Sequence, residues 1–311
     1  VSVLRPLSLA ALALAFVVVV VGAYVRLSDA GLGCPDWPLC YGKVIPSEMP
    51  DAHPVQKQWK EMGHRFLAGT LGILLLSLAV MSFKVGKGRG LAAGIVALVL
   101  FQATLGMWTV TMLLKPVIVT AHLLGGMTIL ALLGWYALEQ QRHSPAPEAR
   151  ALRMGAAVAL AALAVQIALG GWVSANYAAL ACLDLPLCRG QFMPPMDFAN
   201  AFHVVRELGQ TADGALLSNQ ALTAIHWTHR MFALVAAAAI LHVALRSLRV
   251  ARSLGITLLV LLGAQLLLGL ANVVFSLPLP LAAAHNAGAA ALLLALVVLN
   301  FTSFRGLHPS W

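Results

Sequence analysis

The sequence predicts an all-α integral membrane protein with eight transmembrane helices. They form two tandem four-helix bundles related by a pseudo-two-fold axis along the membrane normal. Three observations lead there. Of 311 residues, 60% are hydrophobic and only 10% charged, with a mean hydropathy of +0.87, whereas soluble domains carry about 25% charged residues. Eight stretches are long enough to cross a bilayer, which takes about 20 apolar residues. The chain is also written twice. Val25, Cys34, Pro38, Cys40 and Pro46 match Val173, Cys182, Pro186, Cys188 and Pro194 at a constant offset of 148. His64 and Arg65 match His229 and Arg230 at 165, and Gln102, Gly106 and His122 match Gln265, Gly269 and His285 at 163. Such self-similarity sets the architecture before any single element is assigned, and here it divides the chain into 1–145 and 146–311.

The first stretch, Leu7 to Val25, is longer than the apolar run of about 7 to 15 residues in a signal peptide. No small-residue cleavage site follows it cleanly, so it reads as a membrane helix. The remaining spans of the first half run roughly from His64 to Phe83, Leu91 to Leu114 and Val117 to Leu138. Those of the second half run from Met154 to Val173, His226 to Leu245, Ile256 to Phe275 and Leu281 to Phe301. One side of the membrane carries Arg5, Lys84, Lys87, Arg89, Arg142, Arg150, Arg153, Arg246, Arg249, Arg252 and Arg305 against only Glu139 and Glu148. The whole net charge of +9 therefore lies on that side, and the positive-inside rule assigns it to the cytoplasm. Both termini then lie inside. An even number of helices per repeat makes the halves run the same way. The basic pI reflects topology and not nucleic-acid binding. With no Arg- and Ser-rich leader before the first span, a bacterial cytoplasmic (inner) membrane is expected over a mitochondrial one.

Two long external loops, about 26–63 and 174–225, hold all four cysteines. Each pair is spaced C-x5-C around a proline turn, as Cys34-Pro-Asp-Trp-Pro-Leu-Cys40 and Cys182-Leu-Asp-Leu-Pro-Leu-Cys188. An oxidising exterior favours two local disulfides. Each pair is either a staple for its loop or a redox-active, substrate-contacting pair. The spacing is poor for zinc, and no adjacent histidine pair completes a site.

Of ten histidines, His53, His143, His203 and His308 fall in loops or the tail, and His242 lies near a cytoplasmic helix end. Four more, His64, His122, His229 and His285, lie within apolar spans, where an ionisable side chain is costly and marks a functional site by default. Counted back from the cytoplasmic helix ends, they lie roughly 24–28 Å up, at about 1.5 Å per residue, in the outer third of the hydrocarbon core. Two histidines at one depth on the second and fourth helices of a bundle can grip one metal, and haem iron suits imidazole and a bundle interior. A histidine bonded to a neighbouring carbonyl is the plainer alternative, weakened by the repetition. Arg65 and Arg230 are placed for haem propionates or for snorkelling at a helix end.

The halves differ at one informative position. Glu61, one turn before His64, corresponds to His226 before His229. A carboxylate on the ligand's helix face can accept or donate a proton, or can simply be an acid near a helix N-terminus. The first half therefore reads as reactive and the second as a permanent cofactor site.

Several segments together resemble the heme A synthase family. They are residues 27–40 (Leu-Ser-Asp-Ala-Gly-Leu-Gly-Cys-Pro-Asp-Trp-Pro-Leu-Cys), Glu61-Met-Gly-His64-Arg65, Ala121-His122-Leu-Leu-Gly125, Thr228-His229-Arg230 and Ala284-His285. The match runs through both halves, in the form of the family that keeps both cysteine pairs. It implies a membrane oxidoreductase that oxidises the C8 methyl group of heme O to a formyl in two steps, supplying heme A to terminal oxidases. It further implies a heme b cofactor on His229 and His285, heme O as substrate at His64 and His122, and a need for Glu61. Heme O synthase and an electron carrier are the expected partners, within membrane lipid. The main departure is about 17 extra residues in the second external loop. If both His64 and His122 held the substrate iron throughout, no position would remain for dioxygen. Either one ligand leaves, or the oxygen comes from water with Glu61 taking the proton. A quinone-linked disulfide oxidoreductase would leave the four histidines without a task, and a diheme electron-transfer cytochrome would give Glu61 none.

Overall fold

The computed structural model describes residues 3–49, 52–141 and 147–305. Arg142, His143, His308 and the expected boundary at 145/146 lie outside the described residues. In chain order the helices are α1 (Leu4–Leu27), α2 (Val55–Val85), α3 (Arg89–Thr111), α4 (Pro116–Glu139), α5 (Arg153–Ala175), the single-turn α6 (Phe198–Ala201), α7 (Asn219–Ser247), α8 (Arg252–Val274) and α9 (Leu279–Arg305). All but α6 are long and apolar enough to span a membrane, so eight spans occur among the described residues, and no strand is found there.

Two helices run past the hydrophobic stretches from which they were predicted. α2 begins at Val55 and α7 at Asn219, each well before the apolar run. At about 1.5 Å per residue, the 31-residue α2 is roughly 46 Å long, so its first turns stand clear of a hydrocarbon core about 30 Å thick. Polar residues such as Gln58 and Glu61 hide these turns from a hydropathy reading, yet both are buried, because the external loop packs over them.

Helix ends follow local chemistry. Ser218 caps α7 by accepting from the Ala221 N–H, Pro116 opens α4 where a missing N–H costs nothing, and Gly86 closes α2 at φ +79°. The turn between α3 and α4 places Leu113 and Leu114 at φ 50° and 58°, and the turn between α8 and α9 repeats this with Ser276 and Leu277 at 56° and 62°. These are matching residues at the 163 offset.

Each half closes into a ring of four in the same order, α1–α2–α3–α4 and α5–α7–α8–α9. The halves join through α1 with α9, α4 with α5, and α4 with α9. The inner helices are thus α1, α4, α5 and α9, and α2, α3, α7 and α8 lie outside. The main core gathers Leu130, Leu133, Ala156, Ala159, Ala290 and Leu296, with alanines letting inner helices approach closely. At the end that carries the disulfide loops, residues one repeat apart meet directly. The Arg26 guanidinium donates to the Ser174 carbonyl at 2.8 Å, and the Tyr177 hydroxyl to the Asp29 carboxylate at 2.9 Å.

Candidate functional site

Both cysteine pairs form disulfides, Cys34–Cys40 and Cys182–Cys188, each with Cα atoms 4.7 Å apart. A carboxylate organises the turn inside each ring. Asp36 accepts from the N–H groups of Tyr41 (2.6 Å) and Gly42 (2.8 Å), and Asp184 accepts from those of Arg189 and Gly190, both at 2.7 Å. These donors turn inward because Tyr41, Gly42, Arg189 and Gly190 all adopt positive φ. Partial burial works to raise the Asp36 carboxyl, but the N–H groups of Gly42 and Tyr41 outweigh it and hold the group below the usual carboxylate range. Asp184 is likewise held low, chiefly by the Gly190 N–H. All four cysteines are buried.

Each loop is clamped to the helix that carries the first histidine of its half. Arg65 donates to the carbonyls of Asp36 (2.9 Å) and Leu39 (2.7 Å) and pairs with Glu61. Arg230 reaches the carbonyls of Asp184 (3.1 Å) and Pro186 (3.5 Å). The two arginines differ in what remains. Arg65 has its carboxylate partner, whereas Nη1 of Arg230 is buried without one among the described residues.

His226 takes the structural place of Glu61 in the second half. Glu61 Oε2 accepts from the Cys34 N–H at 2.8 Å, and His226 Nδ1 faces the Cys182 N–H at 3.3 Å. Both side chains therefore sit beneath the first cysteine of a disulfide ring, one acidic and one an imidazole. Gln58, a turn earlier, lies 3.8 Å from the Cys34 sulfur through its carbonyl oxygen and 3.8 Å from the Cys40 sulfur through its side chain.

The four intramembrane histidines sit on α2, α4, α7 and α9, so each pair lies on diagonal helices of its ring. The His64 and His122 ring centroids are 6.5 Å apart with planes at 86°. Two imidazole–metal bonds of about 2 Å, plus half a ring on either side, come to roughly 6 Å, so one metal ion fits between them. Two imidazoles are too few donors for zinc, and no cluster of three or more His, Cys, Asp or Glu residues occurs among the described residues. A porphyrin iron brings four donors of its own and needs the two that a bundle supplies.

Space for the imidazoles comes from glycines on the preceding helix. A Cβ on Gly22 would come within 2.8 Å of the His64 ring, on Gly106 within 3.1 Å of His122, on Gly170 within 3.1 Å of His229, and on Gly269 within 3.3 Å of His285. Sequence reasoning used Gly106 and Gly269 only as repeat markers and passed over Gly22 and Gly170, which the 148 offset alone pairs. It used Gln102 and Gln265 likewise only as repeat markers and passed over Gln166. Gln102, Gln166 and Gln265 donate to the main-chain carbonyls of His122, His229 (3.2 Å) and His285 (3.0 Å) respectively.

The extra residues of the second loop pack over the disulfide-loop end of the second half. Trp172 Nε1 donates to the Ala201 carbonyl at 2.9 Å, and the buried Arg206 reaches the Asn176 side chain and lies over the Trp172 ring. The segment also bridges the halves, since Glu207 pairs with Lys115 of the α3–α4 turn at 2.7 Å. His53, His203 and His242 are exposed, apart from this constellation.

The family model described as cytochrome oxidase assembly protein, COX15-CtaA, matches residues 5–297. A heme A synthase of Shewanella oneidensis is 42% identical over 303 residues, covering 91% of this chain and 92% of the relative. A heme A synthase of Caulobacter vibrioides is 30% identical, with 90% of each chain covered, and one of Halalkalibacterium halodurans is 28% identical, covering 70% of this chain and 73% of its own. With the match spanning both repeats and all four histidines, the chain belongs to the COX15-CtaA family of cytochrome oxidase assembly proteins.

Proposed function

We propose that the chain makes heme A, oxidising the C8 methyl group of heme O to a formyl in two steps, with substrate and cofactor in separate halves. The observation that carries this reading is the exchange of Glu61 for His226 at equivalent places in two otherwise matching sites. The residues 1–145 form the substrate half, where His64 and His122 hold heme O. The residues 146–311 form the cofactor half, where His229 and His285 hold heme b. Bound there, heme b supplies one-electron redox capacity at a fixed distance from the substrate.

Glu61 is the proton acceptor of the substrate half. Its carboxylate is anchored by the Cys34 N–H and by Arg65, and these charge-assisted bonds fix its direction. His226 offers the second half no carboxylate at that place. The unpartnered Nη1 of Arg230 supports a role in binding a propionate of the cofactor, while Arg65 serves mainly to hold Glu61 and the first loop. Burial of all four cysteines supports a structural role for both disulfides, since exchange requires access to sulfur.

In the proposed topology both termini are cytoplasmic in a bacterial inner membrane, the disulfide loops are external, and a pseudo-two-fold axis along the membrane normal relates the halves. Heme O synthase and an electron carrier are the partners this chemistry requires. Extraction and mass identification of hemes from purified wild type, His64→Ala and His229→Ala tests the reading. Selective loss of heme O or A species in His64→Ala, and of heme B in His229→Ala, is the expected result. Heme B alone in both halves would replace it with an electron-transfer cytochrome.

A further inference from the structure

Four histidines face four segments on the helix before them in their ring, and three of those segments share one pattern. Gln102-x3-Gly106 on α3 faces His122, Gln166-x3-Gly170 on α5 faces His229, and Gln265-x3-Gly269 on α8 faces His285. The glycine gives the imidazole room. The glutamine, one turn earlier on the same helix face, donates to the carbonyl of the histidine's own residue in all three cases. Its amide also reaches the ring at 3.1 Å from Nδ1 in His229 and 3.4 Å from Nε2 in His285. The fourth segment is Val18-x3-Gly22 on α1, facing His64. It keeps the glycine and replaces the glutamine with valine, at the position that matches Gln166 by the 148 offset.

The chemical consequence follows from what a metal-bound imidazole needs. The ring nitrogen not bound to metal donates to a nearby acceptor, which fixes the ring and strengthens the ligand. The Oε1 atoms of Gln102, Gln166 and Gln265 are all buried with no partner among the described residues, and so are the Nδ1 atoms of His122 and His285. Each glutamine ties its helix to the residue that carries the imidazole, and at His229 and His285 the same amide stands against the ring. His64 has the same orphaned Nδ1, yet Val18 is apolar and packed into the core. Among the described residues no side chain bonds the His64 carbonyl or ring.

We infer that Gln102, Gln166 and Gln265 are positioning residues that hold three of the four histidines as fixed ligands, and that His64 is the one ligand free to leave. This rests on the heme reading of the two sites. The cofactor half is braced on both sides of the iron. The substrate half is braced on one, at His122, and opens on the face where Glu61 lies one turn from His64.

The test is carbon monoxide binding to the reduced, heme-loaded protein, which requires an axial histidine to leave, together with electron paramagnetic resonance of the oxidised protein for the bis-imidazole signature. Wild type should bind carbon monoxide at the heme lost in His64→Ala and not at the heme lost in His229→Ala. Val18→Gln should lower binding at the first site, and Gln166→Val or Gln166→Met should raise it at the second, each by about tenfold or more, the scale seen when a hydrogen-bond partner of a metal ligand is removed. Two second-site variants and one gain-of-brace variant keep the test independent of any one misfolded protein. Equal reactivity at both sites, or no response to these substitutions with the bis-imidazole signature intact, overturns the inference alone. Absence of that signature from wild type overturns the heme reading beneath it.

Discussion

Glu61 is where a single atom change separates chemistry from scaffold. Glu61→Gln keeps an acceptor for the Cys34 N–H and the side chain's shape, while removing the charge that the proposed mechanism uses to accept a proton. Heme content should stay at the wild-type level and heme A formation should fall by about 10²–10⁴-fold, measured as product per heme in membranes. Gly170 allows an equally local test. A leucine there crowds the His229 ring, so on the proposed reading Gly170→Leu should remove the heme of the second half and spare that of the first, read from extracted heme types. The histidines and Glu61 could be singled out in the sequence as candidates because an ionisable side chain within or beside an apolar helix is costly. Gln102 and Gln265 stood in the aligned repeats without a role, and Gln166 did not stand out at all. A lone glutamine in a membrane helix signals nothing until the carbonyl it bonds is known, and that partner lies on another helix.

At the scale of the element, each disulfide ring is a small unit of turn, carboxylate and sulfur bridge. Asp36 and Asp184 are both held below the ordinary carboxylate range. A depressed folded value means that their contribution is complete above the unfolded value, about 3.9, and is lost as pH falls through the folded one. The rings should therefore resist a phosphine reductant equally from neutral pH to about pH 4 and be reduced faster only below it. Asp184→Ala should show the fast rate at neutral pH. Serine replacement of both Cys182 and Cys188 should lower stability by about 2 kcal/mol, seen as a lower melting temperature in detergent. The spacing of the cysteines and the intervening proline made these rings readable. The extension of α2 to Val55 and of α7 to Asn219 was not, since these early turns are polar, and Gln58, Glu61 and His226 are covered only by loops distant in sequence, whereas hydropathy sees only neighbours.

At the scale of the whole molecule, the second external loop joins what the repeat divides. Arg206 is buried among Asn176, Gln210 and Trp172, and Arg206→Ala should cost about 1–3 kcal/mol, the range for leaving buried polar partners unmatched, again measured by thermal unfolding. The number of spans and the repeat could be read from the sequence because each depends on runs of residues or fixed offsets. The course of the 17-residue insertion could not, because it has no counterpart in the first half to compare with.

The division into inner and outer helices bears on traffic through the protein. His122 and His285 stand on α4 and α9, which pack against each other where the halves join, while His64 and His229 stand on α2 and α7 at the periphery. Each histidine pair thus has one member on a helix packed at the junction of the halves and one on a helix that makes no contact of note with the other half. Among the helices, α2 packs against α1 and α3, and it also carries the clamp on the first disulfide loop, whereas α4 packs against both helices of the other half that lie at the junction. On the proposed heme reading, this arrangement predicts that a flat, greasy guest exchanges sideways with the bilayer at one cleft without loosening its twin.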